Sequence, residues 1–190
     1  MPRLLHSLVL FALALPATLA DSAPNAEEHV EGGVGESVEY QVKAELLRSF
    51  LRYSTFPEGS FANEKSPIVV LVLGDDPFGP LIKAAFAKKK FNGRSIQIRR
   101  LRRIPNRIDA HLVFAHELPE QEQAALIAKL SARPLLFVSD TPGFVEAGGF
   151  INLYPDDGKI RFEINERCLK TRGVQLKADL LKLARIVEEA

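Results

Sequence analysis

The chain is poor in cysteine and tryptophan and carries almost no net charge. Its 190 residues include one cysteine, Cys168, and no tryptophan. A single cysteine excludes an intrachain disulfide framework and a metal site built from several thiolates. The 25 Lys and Arg residues nearly balance the 24 Asp and Glu residues, whereas a dedicated nucleic-acid-binding protein would show a strong basic excess. The apolar share of 46% is typical of a globular domain rather than a disordered one.

The sequence also has no long hydrophobic run. The apolar run near the amino terminus is short. Residues 1–20 combine Arg3, an apolar run over residues 8–15, and small side chains at Thr18 and Ala20. This order predicts a secretory signal peptide that is cleaved near Ala20. About eight apolar residues are too few to span a bilayer core of ~30 Å, so a membrane anchor is the weaker interpretation.

The rest of the chain divides into an arm and one domain. Removal of the signal peptide takes away Arg3 and no acid, so the mature chain is formally neutral. Residues 21–36 are acidic, small and rich in glycine without periodicity, which predicts a flexible N-terminal arm. Residues 37–190 have the mixture of apolar and polar residues that is typical of a globular domain, and they have the length of a single domain.

Hydrophobic periodicity predicts a layered α/β domain. Predicted strands cover residues 68–73, 95–101, 111–115, 134–139, 149–154 and 159–164. Predicted helices cover residues 38–53, 81–90, 120–130, 165–171 and 175–188. The Asp157-Gly158 turn between the last two strands indicates a hairpin. We therefore expect a mixed sheet of about six strands flanked by helices, with a C-terminal β-hairpin and helix.

Three acids follow strands of the predicted sheet and are candidates for a ligand or Mg²⁺ site. Asp75 and Asp76 follow the first strand and Asp140 follows the fourth. The carboxyl ends of parallel strands line the usual ligand crevice, and Mg²⁺ prefers oxygen ligands. The simpler interpretation is that each Asp caps backbone N–H groups of the turn or helix after it.

Motifs of catalysis and cofactor binding are absent from the sequence. The loop over residues 74–79 has neither the spacing of a dinucleotide fingerprint nor that of a phosphate loop. The chain has no Gly-x-Ser-x-Gly elbow and no His-Glu-x-x-His pair. Cys168 has basic neighbours but no histidine near it in sequence, so a packed thiol is its simplest role. We expect no enzyme, no cofactor and no metal.

One stretch of the chain is strongly basic. Residues 88–107 carry nine Lys and Arg side chains and no acid. Such a cluster attracts an acidic partner surface, a phosphate-bearing ligand or anionic lipid, although a solvated face is the simpler interpretation. The candidate anion-binding residues are Arg94, Arg99, Arg100, Arg102 and Arg103.

Several motifs in a fixed order resemble one family. They are the segments at residues 73–79, 92–96, 138–144, 148–152, 161–165 and 180–186. In this order and spacing the chain resembles the YfiR family of periplasmic repressors, which includes the HmsC-type proteins. The resemblance runs from about Val42 to Val187.

The resemblance implies a periplasmic regulator without enzymatic activity. Members of the family bind the periplasmic sensor domain of an inner-membrane diguanylate cyclase and repress cyclic di-GMP synthesis and biofilm formation. An OmpA-like outer-membrane lipoprotein often relieves the repression, and homodimers are common. The alternative hypothesis is a periplasmic small-molecule receptor that uses the crevice near Asp75, Asp76 and Asp140.

The resemblance also marks a candidate contact site and one departure from the family. The most recognisable stretch places four polar residues together as candidates for partner or ligand binding: Asn152, Arg161, Glu163 and Asn165. Alternatively, Arg161 and Glu163 are a same-face pair on a strand and Asn165 caps the next helix. Well-known members carry several cysteines in disulfides, which Cys168 alone cannot form within this chain.

Overall fold

The computed structural model describes residues 33–187. The predicted signal peptide lies outside the described residues, and so does the predicted arm up to residue 32. The first helix, α1 (Gly33–Arg52), already includes the last residues of that predicted arm. No helix within residues 33–187 combines the length and the apolar character needed to cross a membrane.

Within residues 33–187 the main sheet has seven strands and is mixed, which confirms the α/β class and adds one strand to the predicted number. Its strands are β2 (Ile68–Leu73), β3 (Ile96–Leu101), β4 (Leu112–Ala115), β5 (Leu136–Ser139), β6 (Ile151–Asp156), β7 (Lys159–Ile164) and β9 (Arg185–Ile186). They lie in the order β3-β2-β4-β5-β6-β7-β9. Only the β6–β7 hairpin is antiparallel among these neighbours. A separate two-stranded sheet pairs β1 (Ser54–Thr55) with β8 (Gln175–Leu176).

Four further helices are short or lie between strands. They are α2 (Leu81–Phe86), α3 (Glu120–Leu130), α4 (Glu166–Lys170) and α5 (Ala178–Leu181). The predicted α3 has the observed bounds, whereas α2 ends at Phe86 rather than Lys90. Lys88 has a positive φ of 55°, which is incompatible with continuing the helix.

The predicted last helix is confirmed only over Ala178–Leu181, whereas its predicted bounds of 175–188 are wrong. That segment instead forms β8, α5 and β9. Leu176 pairs with Ser54, and the Lys177 N–H donates to the Tyr53 carbonyl at 2.8 Å. Ile186 pairs with Ile164 of β7. Backbone partners that are distant in the sequence therefore outweigh the local helical periodicity.

The core surrounds the sheet, and one part of it lies between α1 and the sheet. Every residue of β2 is buried, as its continuous apolar run predicted. Leu47 and Phe50 of α1 are fully buried, and the Phe50 ring meets the Phe162 ring edge-on at 5.1 Å. Val42 lies at helical spacing from Leu46 and Phe50 in the sequence, yet it is 40% exposed, and Lys43 beside it is buried instead. This rotation of α1 turns a charged side chain toward the carboxyl ends of the strands.

Candidate functional site

The hairpin brings together two of the four predicted contact residues. Asn152 of β6 pairs in register with Glu163 of β7. The Asn152 amide Nδ2 donates to Glu163 Oε1 at 3.1 Å. Both residues are buried, at 3% and 2% exposure, so neither offers a surface for direct contact.

Arg185 completes this group and was missed by the sequence analysis. Its Nε donates to Glu163 Oε2 at 2.8 Å, and its Nη2 donates to the same oxygen. The Arg185 side chain remains 59% exposed, while its guanidinium lies 5.1 Å from the centre of the Tyr154 ring. The sequence analysis placed Arg185 on a helix. Its position on a strand beside β7, and therefore its contact with Glu163, could not be predicted.

The other two predicted contact residues have separate roles. Arg161 pairs with Asp156 at 2.6 Å across the end of the hairpin and does not join Glu163. Asn165 is fully buried, and its Oδ1 accepts from the Cys168 N–H at 2.9 Å, which caps α4. The capping interpretation of Asn165 is confirmed, and the four residues do not form one cluster.

Exposed polar and apolar residues occur at β9 and in the turn that precedes it. Leu183 is 70% exposed and Ile186 is 42% exposed. Within residues 33–187, β9 is the last strand of the sheet and pairs only with β7. We call Tyr154, Leu183, Arg185 and Ile186 the β9 patch. An edge strand with such side chains can accept a protein partner.

A second polar group lies at the carboxyl ends of the central strands. The Asp140 side chain follows β5 and is only 3% exposed. Its carboxylate accepts from Lys43 Nζ at 2.7 Å, from His116 Nδ1 at 3.0 Å and from Tyr40 Oη at 3.3 Å. We call Tyr40, Lys43, His116 and Asp140 the Asp140 cluster. Its hydrogen bonds link the amino-terminal half of α1 to the carboxyl ends of β4 and β5.

The protonation of the Asp140 cluster follows from these contacts. Burial alone would raise the pKa of Asp140, but the hydrogen bonds from His116 and Lys43 outweigh it and hold the pKa below its usual range. The same hydrogen bond raises the pKa of His116. Burial and then the Asp140 charge raise the pKa of Tyr40, so this phenol stays protonated at neutral pH.

The three candidate acids have different surroundings. Asp75 is exposed. Asp76 Oδ1 accepts from the Phe78 N–H at 2.9 Å, and its other oxygen pairs with Arg100. A nearby pocket of about 370 Å³ is lined by Asp76 and Tyr40 but by neither Asp75 nor Asp140. Capping is thus confirmed for Asp76, and Asp140 belongs to its own cluster. In the part of the chain that the structure describes, no three His, Cys, Asp or Glu side chains are grouped as a metal site requires.

The predicted basic residues do not form one patch. Arg94 donates to backbone carbonyls of residues 63, 64 and 66 and lies over the Phe61 ring. Arg99 and Arg100 alternate on the edge strand β3, where Arg99 donates to Gln97 at 2.9 Å. Arg102 and Arg103 are exposed. Arg94 therefore has a structural role, and Arg99 lines a pocket at the amino ends of the strands.

The comparison with protein families gives a match over most of the chain. The model of a family described as YfiR/HmsC-like matches residues 40–185. This range begins at Tyr40 of the Asp140 cluster and ends at Arg185 of the β9 patch. No curated protein matches the chain.

Proposed function

The chain belongs to the YfiR/HmsC-like family, and from this membership we propose that it is a periplasmic negative regulator of an inner-membrane diguanylate cyclase. Proteins of this family regulate diguanylate cyclases from the periplasm. In this proposal the chain binds the periplasmic sensor domain of the cyclase and represses cyclic di-GMP synthesis and biofilm formation. The observation that carries the proposal is the family match over residues 40–185.

The β9 patch is the contact surface in this proposal. Glu163 is buried and holds Arg185 in place, while the guanidinium stays open to solvent. Exposed Leu183 and Ile186 lie beside it in the chain. An arginine fixed by a buried carboxylate loses little conformational entropy when a partner covers it. Glu163 and Asn152 then act as positioning residues rather than as contacts.

Gene deletion and complementation test the function. Deletion should raise cellular cyclic di-GMP and surface attachment in a strain that carries the cognate cyclase, and the wild-type gene should restore low levels. Unchanged cyclic di-GMP after deletion would contradict the proposed function.

Two matched arginine variants test the surface. Complementation with Arg185→Ala should leave cyclic di-GMP high, whereas Arg103→Ala should repress like the wild type. Arg103 is also exposed but follows β3, at the opposite edge of the sheet. Immunoblots of periplasmic extracts check that both variants accumulate equally. Normal repression by Arg185→Ala would contradict the β9 patch as the contact surface. It would not contradict the proposed function.

A further inference from the structure

A pocket of about 440 Å³ lies at the amino ends of β2 and β4. Its lining includes buried Val69, the partly buried Ala110 and His111, and the segment over residues 59–62. Three arginines complete the lining: Arg99, Arg107 and Arg133. Pockets of 300–1,000 Å³ are the usual size for small-molecule ligands.

His111 holds the segment over residues 59–62 in place. Its Nδ1 accepts from the Val69 N–H at 3.0 Å, so the ring proton is on Nε2, which donates to the Ser60 carbonyl at 3.1 Å. The Phe61 ring stacks on His111 with 4.5 Å between ring centres and 12° between planes. The Arg94 guanidinium lies 4.0 Å from the centre of the Phe61 ring. The wall of the pocket is therefore ordered before any ligand arrives.

The pocket has an excess of positive charge. Its lining holds three arginines and a single acidic side chain, that of Asp109. Asp109 Oδ1 accepts from Arg107 Nε at 3.0 Å and from Arg133 Nη2 at 3.3 Å. Burial lowers the pKa of His111, so this ring stays neutral at pH 7 and adds no charge. One carboxylate shared by two arginines leaves most of their N–H donors available.

An unpartnered hydroxyl adds to these donors. Ser60 is one of the residues that line the pocket, and its buried Oγ has no hydrogen-bond partner within the described residues. Buried polar atoms are rarely left without a partner, so an exception inside a pocket marks a place where a bound molecule can complete the hydrogen bonding.

We propose that this pocket binds a small molecule that carries a phosphate or carboxylate group. The guanidinium groups of Arg107 and Arg133 bind the anionic group, since planar guanidinium matches such oxygens with two parallel hydrogen bonds. The Ser60 hydroxyl bonds a polar atom of the same ligand. The site is distinct from the β9 patch, and the proposal does not depend on the proposed regulation of a cyclase.

NMR titrations of the mature protein test the site with simple anions. Inorganic phosphate and acetate are added separately, and chloride keeps the ionic strength constant. We expect saturating shifts of the backbone amides of Ser60, Phe61 and His111 with at least one of the two anions. Arg133→Gln should weaken that binding by roughly tenfold, because a charge-assisted hydrogen-bonding pair is lost. The anion that saturates identifies whether phosphate or carboxylate is the recognised group.

Arg103→Gln is the matched control, because it removes the same charge from an exposed position outside the pocket. It should bind the anion within twofold of the wild type. Ser60→Ala, which keeps all three arginines, should also weaken binding. Two results would overturn the proposal. One is a chemical shift change that grows linearly, without saturation, with both anions. The other is equal weakening of anion binding by Arg133→Gln and Arg103→Gln, because either result would mean that the protein attracts anions only through its general positive charge. Spectra of the free variants that match the wild type away from the substitution establish that each is folded.

Discussion

The Asp140 carboxylate joins three elements of the fold at a single residue. It binds Lys43 and Tyr40 of α1 and His116 after β4, while it follows β5 itself. The Lys43 side chain is 4% exposed and also pairs with Glu39 at 2.6 Å. A buried charge that loses its partner destabilises a protein by about 3–5 kcal/mol. The contacts within this cluster therefore determine how firmly α1 is held on the sheet.

The His116–Asp140 pair makes stability depend on pH. The pKa of His116 is raised by folding, so its contribution is present below its unfolded value of about 6.5 and is lost as pH rises through the folded pKa. The pKa of Asp140 is lowered, so its contribution is present above about 3.9 and is lost as pH falls through the folded pKa. The His116–Asp140 pair should therefore contribute more to the free energy of unfolding at pH 6 than at pH 8.5, as measured by urea unfolding of the wild type and a His116 variant.

His116→Gln is the control for this pH dependence. The difference in unfolding free energy between wild type and variant should be larger at pH 6 than at pH 8.5. His111 titrates in the opposite sense, since burial lowers its pKa, and the subtraction removes its contribution. A difference between wild type and variant that is constant with pH would show that the His116–Asp140 contact does not titrate as described.

The Asp140 cluster could be predicted from the sequence only in part. The sequence places Asp140 after a strand, and parallel strands bring such positions to one edge. It does not show that α1 turns Lys43 inward, because the neighbouring residue at helical spacing from other apolar side chains is Val42. The contacts between Lys43 and Asp140 span 97 positions of the chain. Contacts of that separation depend on packing that no local pattern encodes.

At the scale of elements, the β6–β7 hairpin is the part of the fold that its own sequence determines best. Asp157 and Gly158 have φ values of 48° and 69°, and positive φ at both central residues defines a type I′ turn. The predicted bounds of β7 were confirmed, and β6 was predicted within a few residues. By contrast, β8 and β9 each contain two residues and depend on β1 and β7. Such short strands have too little sequence to be distinguished from a helix.

A pair of glycine substitutions tests the turn. An added Cβ would meet no atom within 4 Å at Gly158 or at Gly35, so neither substitution creates a clash. Gly158→Ala should destabilise the protein by about 1 kcal/mol, because its positive φ is unfavourable for alanine. Gly35→Ala lies in α1 and should be neutral or stabilise by up to about 1 kcal/mol. Urea denaturation measures both, and equal effects of the two variants would contradict a conformational requirement at Gly158.

At the scale of the whole molecule, packing rather than covalent cross-links holds the described domain together. One continuous cluster of buried apolar side chains runs from Tyr40 of α1 to Leu180 of α5. Cys168 lies within this cluster at 8% exposure, and its N–H is bonded to Asn165. The chain has no second cysteine. An intrachain disulfide therefore cannot form within this sequence.

Stability should therefore be independent of reductant. Urea unfolding of the protein should give the same midpoint with and without dithiothreitol, because no intrachain disulfide constrains the unfolded chain. The folded protein should also give no covalent dimer on a non-reducing gel, since the Cys168 thiol is buried and reacts slowly with oxidants. Cys168→Ala provides the control: it should lower the midpoint through lost packing, by the same amount in both conditions. A midpoint that falls with dithiothreitol in the wild type but not in Cys168→Ala would instead reveal a disulfide between two copies of the chain, and the packing account of stability would then be incomplete.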